Sequence, residues 1–324
     1  MKKEDSLSKK TGSGRRKRIT LLGGILLGLL IVFVLVVMAL NSRKPGPLTV
    51  EGTRPGTPGS LFVRTNQTLI NQMMENWLPN DVFWPTVFLD NMPNFQIGQL
   101  EVVRYNIRVL RDNLSRMRTT DRLDLDVDAA FTSLSNDPYK WWFPSAESKW
   151  RAAERHLEAY HSNLVSGRAS FYPRADNLAQ LLEQYASLMG GVNTRLINAP
   201  GDISRTLILD SDAGESNAGS GIVEIDIPWH KVDDNFYYAQ GVSYALYESF
   251  QAIRKEFRDV LVDKNSVKLV EKILENLGRC QFEPLVVCNG DPDSIFANHS
   301  LNLSGVFNDA RQKIDSLVVA LQQG

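Results

Sequence analysis

Ile19-Thr20-Leu21-Leu22-Gly23-Gly24-Ile25-Leu26-Leu27-Gly28-Leu29-Leu30-Ile31-Val32-Phe33-Val34-Leu35-Val36-Val37-Met38-Ala39-Leu40 decides how the rest of the chain is read. These 22 residues hold no charge and no proline, and they match the roughly 20 apolar residues needed to cross a hydrocarbon core of about 30 Å. Inside such a core every backbone N–H and C=O has to be satisfied within the segment, so the stretch is expected to be a spanning helix. Val37-Met38-Ala39 loosely fits a signal-peptide cleavage pattern. The apolar core is longer than the usual ~7–15 residues of a signal peptide, which favours a retained anchor. Gly24-x-x-x-Gly28 would allow close approach of two such helices, on weak grounds because glycine is common in membrane spans.

The flanks orient the span. Lys2, Lys3, Lys9, Lys10, Arg15, Arg16, Lys17 and Arg18 precede it against Glu4 and Asp5, whereas only Arg43 and Lys44 follow closely. The basic bias predicts a short cytoplasmic tail over 1–18, too short to fold, with the bulk of the chain across the membrane. That tail needs no partner beyond anionic lipid. The whole chain has a net charge of −1, with 36 Lys and Arg and 37 Asp and Glu. Ten of those basic residues and two of the acidic ones lie before Pro45, so residues 45–324 sum to −9. An acidic balance of this size argues against a nucleic-acid ligand, which asks for a basic face.

Residues 41–60 are rich in proline and glycine, with Pro45, Pro47, Pro55, Pro58, Gly46, Gly52, Gly56 and Gly59. They read as a semi-extended flexible linker. From 61 to 324 the apolar spacing is helical nearly everywhere, enough for one large core or two smaller ones. Leu100, Val103, Ile107, Leu110, Leu114 and Met117 step by 3 and 4 along one seam. Trp150 to Leu164 and Leu178 to Leu196 repeat the step around a short connection, Gly167 to Pro173, which predicts an antiparallel helical hairpin. Further seams run from about Asp233 to Val260, from Val267 to Leu277 and from Leu303 to Leu321. Thr206–Leu209 and Ile222–Ile227 are β-branched runs that suggest a single small β-hairpin lying against the helices. The expected fold is mainly α: one transmembrane helix, a Pro/Gly linker and a multi-helix bundle.

No catalytic motif stands out. His230, Asp233, Asp234 and Tyr237 form the densest polar and aromatic cluster, with His230 as a conceivable general base, although capping of the following helix explains the Asp pair without chemistry. Arg104, Arg108, Arg111, Arg116 and Arg118 lie on a helix followed by Asp124, Asp126 and Asp128, to which they can pair; an anionic envelope ligand is the functional alternative. That Asp run lacks the glycine and glutamate of a calcium loop. Asp210, Asp212 and Glu215 supply hard oxygen ligands on a Gly-containing loop, but a solvated loop tip is the simpler reading, and no metal or cofactor is expected. His156 and His161 sit about 140° apart around a helix and would not share a metal. Trp141-Trp142-Phe143-Pro144 is either a buried turn or a docking patch for a partner or the bilayer interface. Cys280 and Cys288 are the two cysteines, a disulfide candidate in an oxidising compartment. Four N-x-S/T sequons, at Asn66, Asn113, Asn298 and Asn302, matter only in a eukaryotic secretory lumen.

Several words of the sequence are specific. Leu78-Pro79-Asn80-Asp81, Phe83-Trp84-Pro85-Thr86, Leu89-Asp90-Asn91-Met92-Pro93-Asn94-Phe95-Gln96-Ile97-Gly98, Arg111-Asp112-Asn113-Leu114-Ser115-Arg116 and Asp234-Asn235-Phe236-Tyr237-Tyr238-Ala239-Gln240-Gly241 resemble a family of uncharacterised bacterial single-pass inner-membrane proteins, a domain of unknown function. The resemblance covers almost the whole chain. It implies a Gram-negative envelope and a periplasmic location, and lends no catalytic residues. The expected role is therefore binding or scaffolding in the envelope, with the lipid bilayer and an envelope protein or a second copy as partners, rather than an enzyme. The alternatives are an envelope hydrolase or lyase around His230, and a sensor acting through a partner.

Overall fold

The computed structural model describes residues 4–82, 85–118, 120–197, 205–207, 222–224, 232–284, 287 and 297–323. The chain divides into two units, Met1–Lys44 with Val82–Leu89, and Pro45–Asp81 with Asp90–Gly324.

In the first unit a single helix, α1, runs over Glu4–Asn41. Its segment Thr20–Asn41 has a mean hydropathy of 3.1, none of it buried, and is long and apolar enough to cross a membrane. The basic tail, expected to be too short to fold, continues this helix. Extension of an existing helix fixes one residue per added hydrogen bond, whereas nucleation fixes several for the first. Asn41 Nδ2 donates to Val37 O at 2.7 Å and Ser42 N to Met38 O at 3.0 Å, closing the C-terminal turn.

The second unit is a helical bundle: α2 (Ser60–Glu75), α3 (Asn91–Val109), α4 (Leu125–Leu134), α5 (Ala146–Val165), α6 (Ala175–Ile197), α7 (Val232–Glu256), α8 (Arg258–Asp263), α9 (Val267–Arg279) and α10 (His299–Gln322). Two short strands, β1 (Arg205–Leu207) and β2 (Ile222–Glu224), pair antiparallel with Thr206 opposite Val223. The seams behave as the spacing predicts. Leu100, Val103, Ile107, Leu110 and Leu114 are fully buried, as are Leu303, Phe307, Ala310, Ile314 and Leu317 on α10. Met117 is the exception at 58% exposure, because the backbone leaves the helix at Leu114. There the last turn widens to i→i+5 spacing, with Ser115 N on Leu110 O at 3.0 Å. Side chains close the helix starts: Asp124 accepts from Asp126 N and Val127 N, Ser145 from Ser148 N, and Asn298 from Leu301 N.

α3 and α7 form the centre and run parallel, since Asn94 meets Asp234, and Asn106 meets Ser249. They cross at glycines: an added Cβ on Gly241 would fall 1.9 Å from Phe95 O, and one on Gly98 would fall 2.2 Å from Tyr238 O. A polar knot ties four helices behind this crossing. Asn106 Nδ2 donates to Asn66 Oδ1 at 2.8 Å and to Ser249 Oγ at 2.9 Å, and the Tyr185 hydroxyl donates to Asn106 Oδ1. All four side chains are buried, so each polar atom is held by a partner rather than by water.

Two features differ from the sequence reading. α5 and α6 do not form an antiparallel hairpin; α5 packs on α4 and α2, and α6 on α10. The connection between them is extended and crosses the bundle. Tyr172 N donates to Leu114 O at 2.8 Å, and Phe171 inserts between Phe62 and Phe257, 6.0 Å from each ring. The second concerns the Pro/Gly segment. From Pro45 onward it is fastened along α7: Tyr244 OH donates to Gly46 O at 2.7 Å, Leu48 N to Glu248 Oε1 at 3.2 Å and Gly59 N to Glu256 Oε2 at 2.8 Å. Proline removes some donors and stiffens the chain, but carboxylates on α7 take up the amides of Leu48 and Gly59.

Candidate functional site

The His230 cluster is only partly described. Asp233 and Asp234 occupy the first turn of α7, where a negative side chain suits the helix end. Asp234 Oδ1 accepts from Asn94 Nδ2 at 2.7 Å, and Asp233 Oδ1 from Asp234 N at 3.1 Å. Both carboxylates thus act on backbone and on α3. Tyr237 is half-buried against Phe236, and burial, aided by the charge of Asp233, pushes its phenol up. His230 lies outside the described residues, as do Asp210, Asp212 and Glu215. Among the described residues no three metal-ligating side chains group together.

The arginines of α3 are largely spent on local structure. Arg104 Nε donates to Leu134 O at 2.9 Å, with a second bond to Asn136 O, so it caps the C-terminal end of α4. Arg111 pairs with Asp112 at 2.7 Å and reaches Asp128 at 3.6 Å, with its guanidinium 4.0 Å above the Phe131 ring. These carboxylates raise its pKa. The Arg–Asp pairing expected from sequence therefore exists at Arg111–Asp128, while Asp124 is a cap and Asp126 meets His156 at 3.6 Å. Arg108, half exposed, joins Glu101, Tyr105 and Phe131 around a shallow cavity of about 270 Å³.

Trp141, Trp142 and Phe143 do not form a buried turn. They are 52%, 63% and 84% exposed and contact one another ring to ring at 5.1 and 5.6 Å. Cys280 is fully buried, its thiol pushed up to about 12 by desolvation, and Cys288 lies outside the described residues. Asn66, one of the sequon asparagines, sits in the central knot with no room for a glycan.

Two arrangements were not visible in the sequence. The first is a groove of about 540 Å³ between the fastened segment and α7, lined by Arg54, Tyr247, Glu248, Gln251, Lys255 and Glu256 among others. Burial raises both glutamate pKa values, against the pull of the amides they accept from. No histidine or cysteine lines this groove, whose polar groups include the hydroxyls of Thr53, Thr57, Thr65 and Tyr247 and the charges of Arg54, Lys255, Glu248 and Glu256. A further cavity of about 740 Å³ is lined by Arg116, Arg118 and Arg174 together with Asp112 and Asp176.

The second is a serine–histidine contact, Ser60 Oγ to His161 Nε2 at 2.8 Å. It resembles an activated nucleophile in its pairing. Yet Ser60 also accepts from Arg54 N at 2.8 Å, both residues are buried, and neither lines any of these three cavities. Burial lowers the His161 pKa and so favours the neutral ring, which suits a structural hydrogen bond holding the start of α2 to α5.

No curated protein and no solved structure matches the chain. A family model does, over residues 14–324, which takes in the span and the whole bundle. The chain belongs to DUF2333, a family of uncharacterized proteins conserved in bacteria.

Proposed function

We propose that this protein is a single-pass anchored component of the bacterial inner membrane, with residues 1–18 in the cytoplasm and the bundle in the periplasm, where it binds or scaffolds another envelope component. The observation that carries this reading is the wholly unburied apolar segment Thr20–Asn41 with its basic N-terminal flank. Basic residues are retained on the cytoplasmic side of a span. A binding role is favoured over catalysis because the groove beside α7 offers charges of both signs and hydroxyls with no histidine or cysteine beside them, and the Ser60–His161 pair is buried in the core.

Fusion reporters at Gly324 test the topology. Alkaline phosphatase is expected to be active there and a fluorescent protein dark; the reverse pattern would place the bundle in the cytoplasm. The full chain is expected to stay with the membrane after alkaline extraction, whereas release would point to a cleaved leader. Turnover of an envelope polymer by the purified chain, abolished in His230→Ala, would replace binding with the hydrolase or lyase reading.

A further inference from the structure

α2 runs opposite to α3 and α7, from Gly59 beside Glu256 to Gln72, which meets Gln99 at 3.3 Å and Tyr244 at 3.1 Å. The fastened segment climbs in the direction of α7, with Gly46 at Tyr244, Leu48 at Glu248 and Gly59 at Glu256. The chain therefore enters the bundle heading away from the end at which α3 and α7 begin. That same end carries the exposed aromatic run. Trp77, just past α2, donates to Pro138 O at 3.0 Å, and Asn80 donates to Lys140 O at 3.3 Å, fixing the loop whose next residues are Trp141, Trp142 and Phe143. The chain also leaves the bundle at Asp81 and rejoins it at Asp90 on this end, and the intervening residues 82–89 carry no charge. Elsewhere on the bundle large apolar side chains are exposed too, Leu123 and Leu125 among them, but among the described residues only Trp141, Trp142 and Phe143 expose three aromatic rings in succession.

Four residues separate Asn41, the end of the candidate span, from Gly46, which is hydrogen-bonded into the bundle. Fully extended, that interval reaches at most about 18 Å, and Tyr244 lies about 18 Å along α7 from either end. The tether thus lets an end of the bundle reach the bilayer, and the direction of entry selects the end at which α7 begins. We infer that the end of the bundle bearing Trp141, Trp142 and Phe143 rests in the interfacial layer of the bilayer that α1 spans, with these rings among the lipid headgroups. Tryptophan suits that position because its ring is apolar and its N–H finds polar partners at the headgroup level. This rests on the reading of α1 as a retained anchor and adds to it which face of the bundle meets lipid.

The test uses the full chain reconstituted into phosphatidylcholine vesicles, with or without bromine on the acyl chains near the glycerol. Bromine quenches tryptophan emission on contact. The emission of wild type minus that of the double variant Trp141→Phe/Trp142→Phe isolates the two rings, and matching far-ultraviolet circular dichroism shows that the variant keeps its fold. The difference emission is expected to be blue-shifted in ordinary vesicles and roughly twofold weaker in brominated ones, since interfacial side chains lie only about 5–10 Å deep. A blue-shifted difference untouched by bromine would mean that protein, such as a second copy, covers the patch. A water-like difference would mean that nothing covers it, and either result overturns the inference. Alkaline extraction of the same vesicles reads α1 separately: retention without quenching sinks the lipid-facing end and leaves the anchor standing, whereas release sinks both.

Discussion

Gly98 and Gly241 lie against each other where α3 crosses α7: a Cβ built on Gly98 would sit 3.2 Å from the carbonyl carbon of Gly241 and 2.2 Å from Tyr238 O, and one on Gly241 would sit 1.9 Å from Phe95 O. The obstructing atoms are backbone within helices, which cannot swing aside as a side-chain tip can. Gly241→Ala is expected to force the two helices apart and destabilise the bundle by about 3 kcal/mol, the upper end of overpacking costs. Gly305→Ala, on an open face of α10 with nothing within 4 Å, is expected to stabilise by up to ~1 kcal/mol through helix propensity. Thermal unfolding of both variants reads the contrast; equal melting temperatures would mean that the crossing is looser than described.

These two glycines also show what was legible in the sequence. They end the words Asn94-Phe95-Gln96-Ile97-Gly98 and Tyr237-Tyr238-Ala239-Gln240-Gly241, which stood out as family signatures without a stated reason. The span and the seams of α3, α7 and α10 were readable because each depends on local spacing alone. The partnering of α5 and α6 was not, since short connections usually join neighbours and nothing local says that Phe171 fills a gap between Phe62 and Phe257. Nor could composition show the fastening of residues 46–59, whose acceptors Glu248 and Glu256 lie about two hundred positions away. The candidate site fared likewise: Arg104 reads as a free cation until its carbonyl partners are placed.

Asn106 links α2, α3, α6 and α7 through its carboxamide. Asn106→Ala removes the donor to Asn66 Oδ1 and the acceptor of the Tyr185 hydroxyl, both in the dry interior. Each stranded polar group costs about 1–3 kcal/mol, so a loss of ~3 kcal/mol or more is expected in urea unfolding. Tyr185→Phe strands only Asn106 Oδ1 and is expected to cost less, about 1–2 kcal/mol. A milder Asn106→Ala than Tyr185→Phe would show that the knot is not centred on Asn106.

Cys280 gives a probe of opening. Its thiol, pushed to about 12 from an ordinary 9.0, holds about a thousandfold less thiolate than a free cysteine, before steric exclusion is counted. In a Cys288→Ser background, alkylation at pH 8 is expected to be at least about a thousandfold slower in the folded chain than in urea. Rapid labelling of the folded chain would show that α9 and the segment after it open readily.

Glu256 fastens the start of α2 to the end of α7, accepting from Gly59 N at 2.8 Å, Leu61 N at 2.6 Å and Phe62 N at 3.3 Å. Desolvation nevertheless dominates and raises its pKa above the ordinary 4.5; burial raises that of Glu248 as well. A carboxyl whose pKa is higher in the folded chain binds its proton more readily there. Its contribution to stability therefore falls as pH rises from 4.5 through the folded value, the reverse of an ion-paired carboxylate. Glu158, held down by Arg64, works in the opposite sense, losing its contribution as pH falls below 4.5. Stability measured by urea from pH 4 to 7 is expected to lose part of its downward component in Glu256→Gln, and an unchanged profile would assign that component elsewhere. Truncation to Glu256→Ala removes three acceptor contacts at once. It is expected to free the segment before α2, so that the glutamate-specific protease Glu-C cuts after Glu51 at least about tenfold faster while the bundle's circular dichroism persists. If Glu51 is cut equally fast in the wild type, residues 46–59 behave as the open linker their composition suggested, and the groove beside α7 has no fixed outer wall.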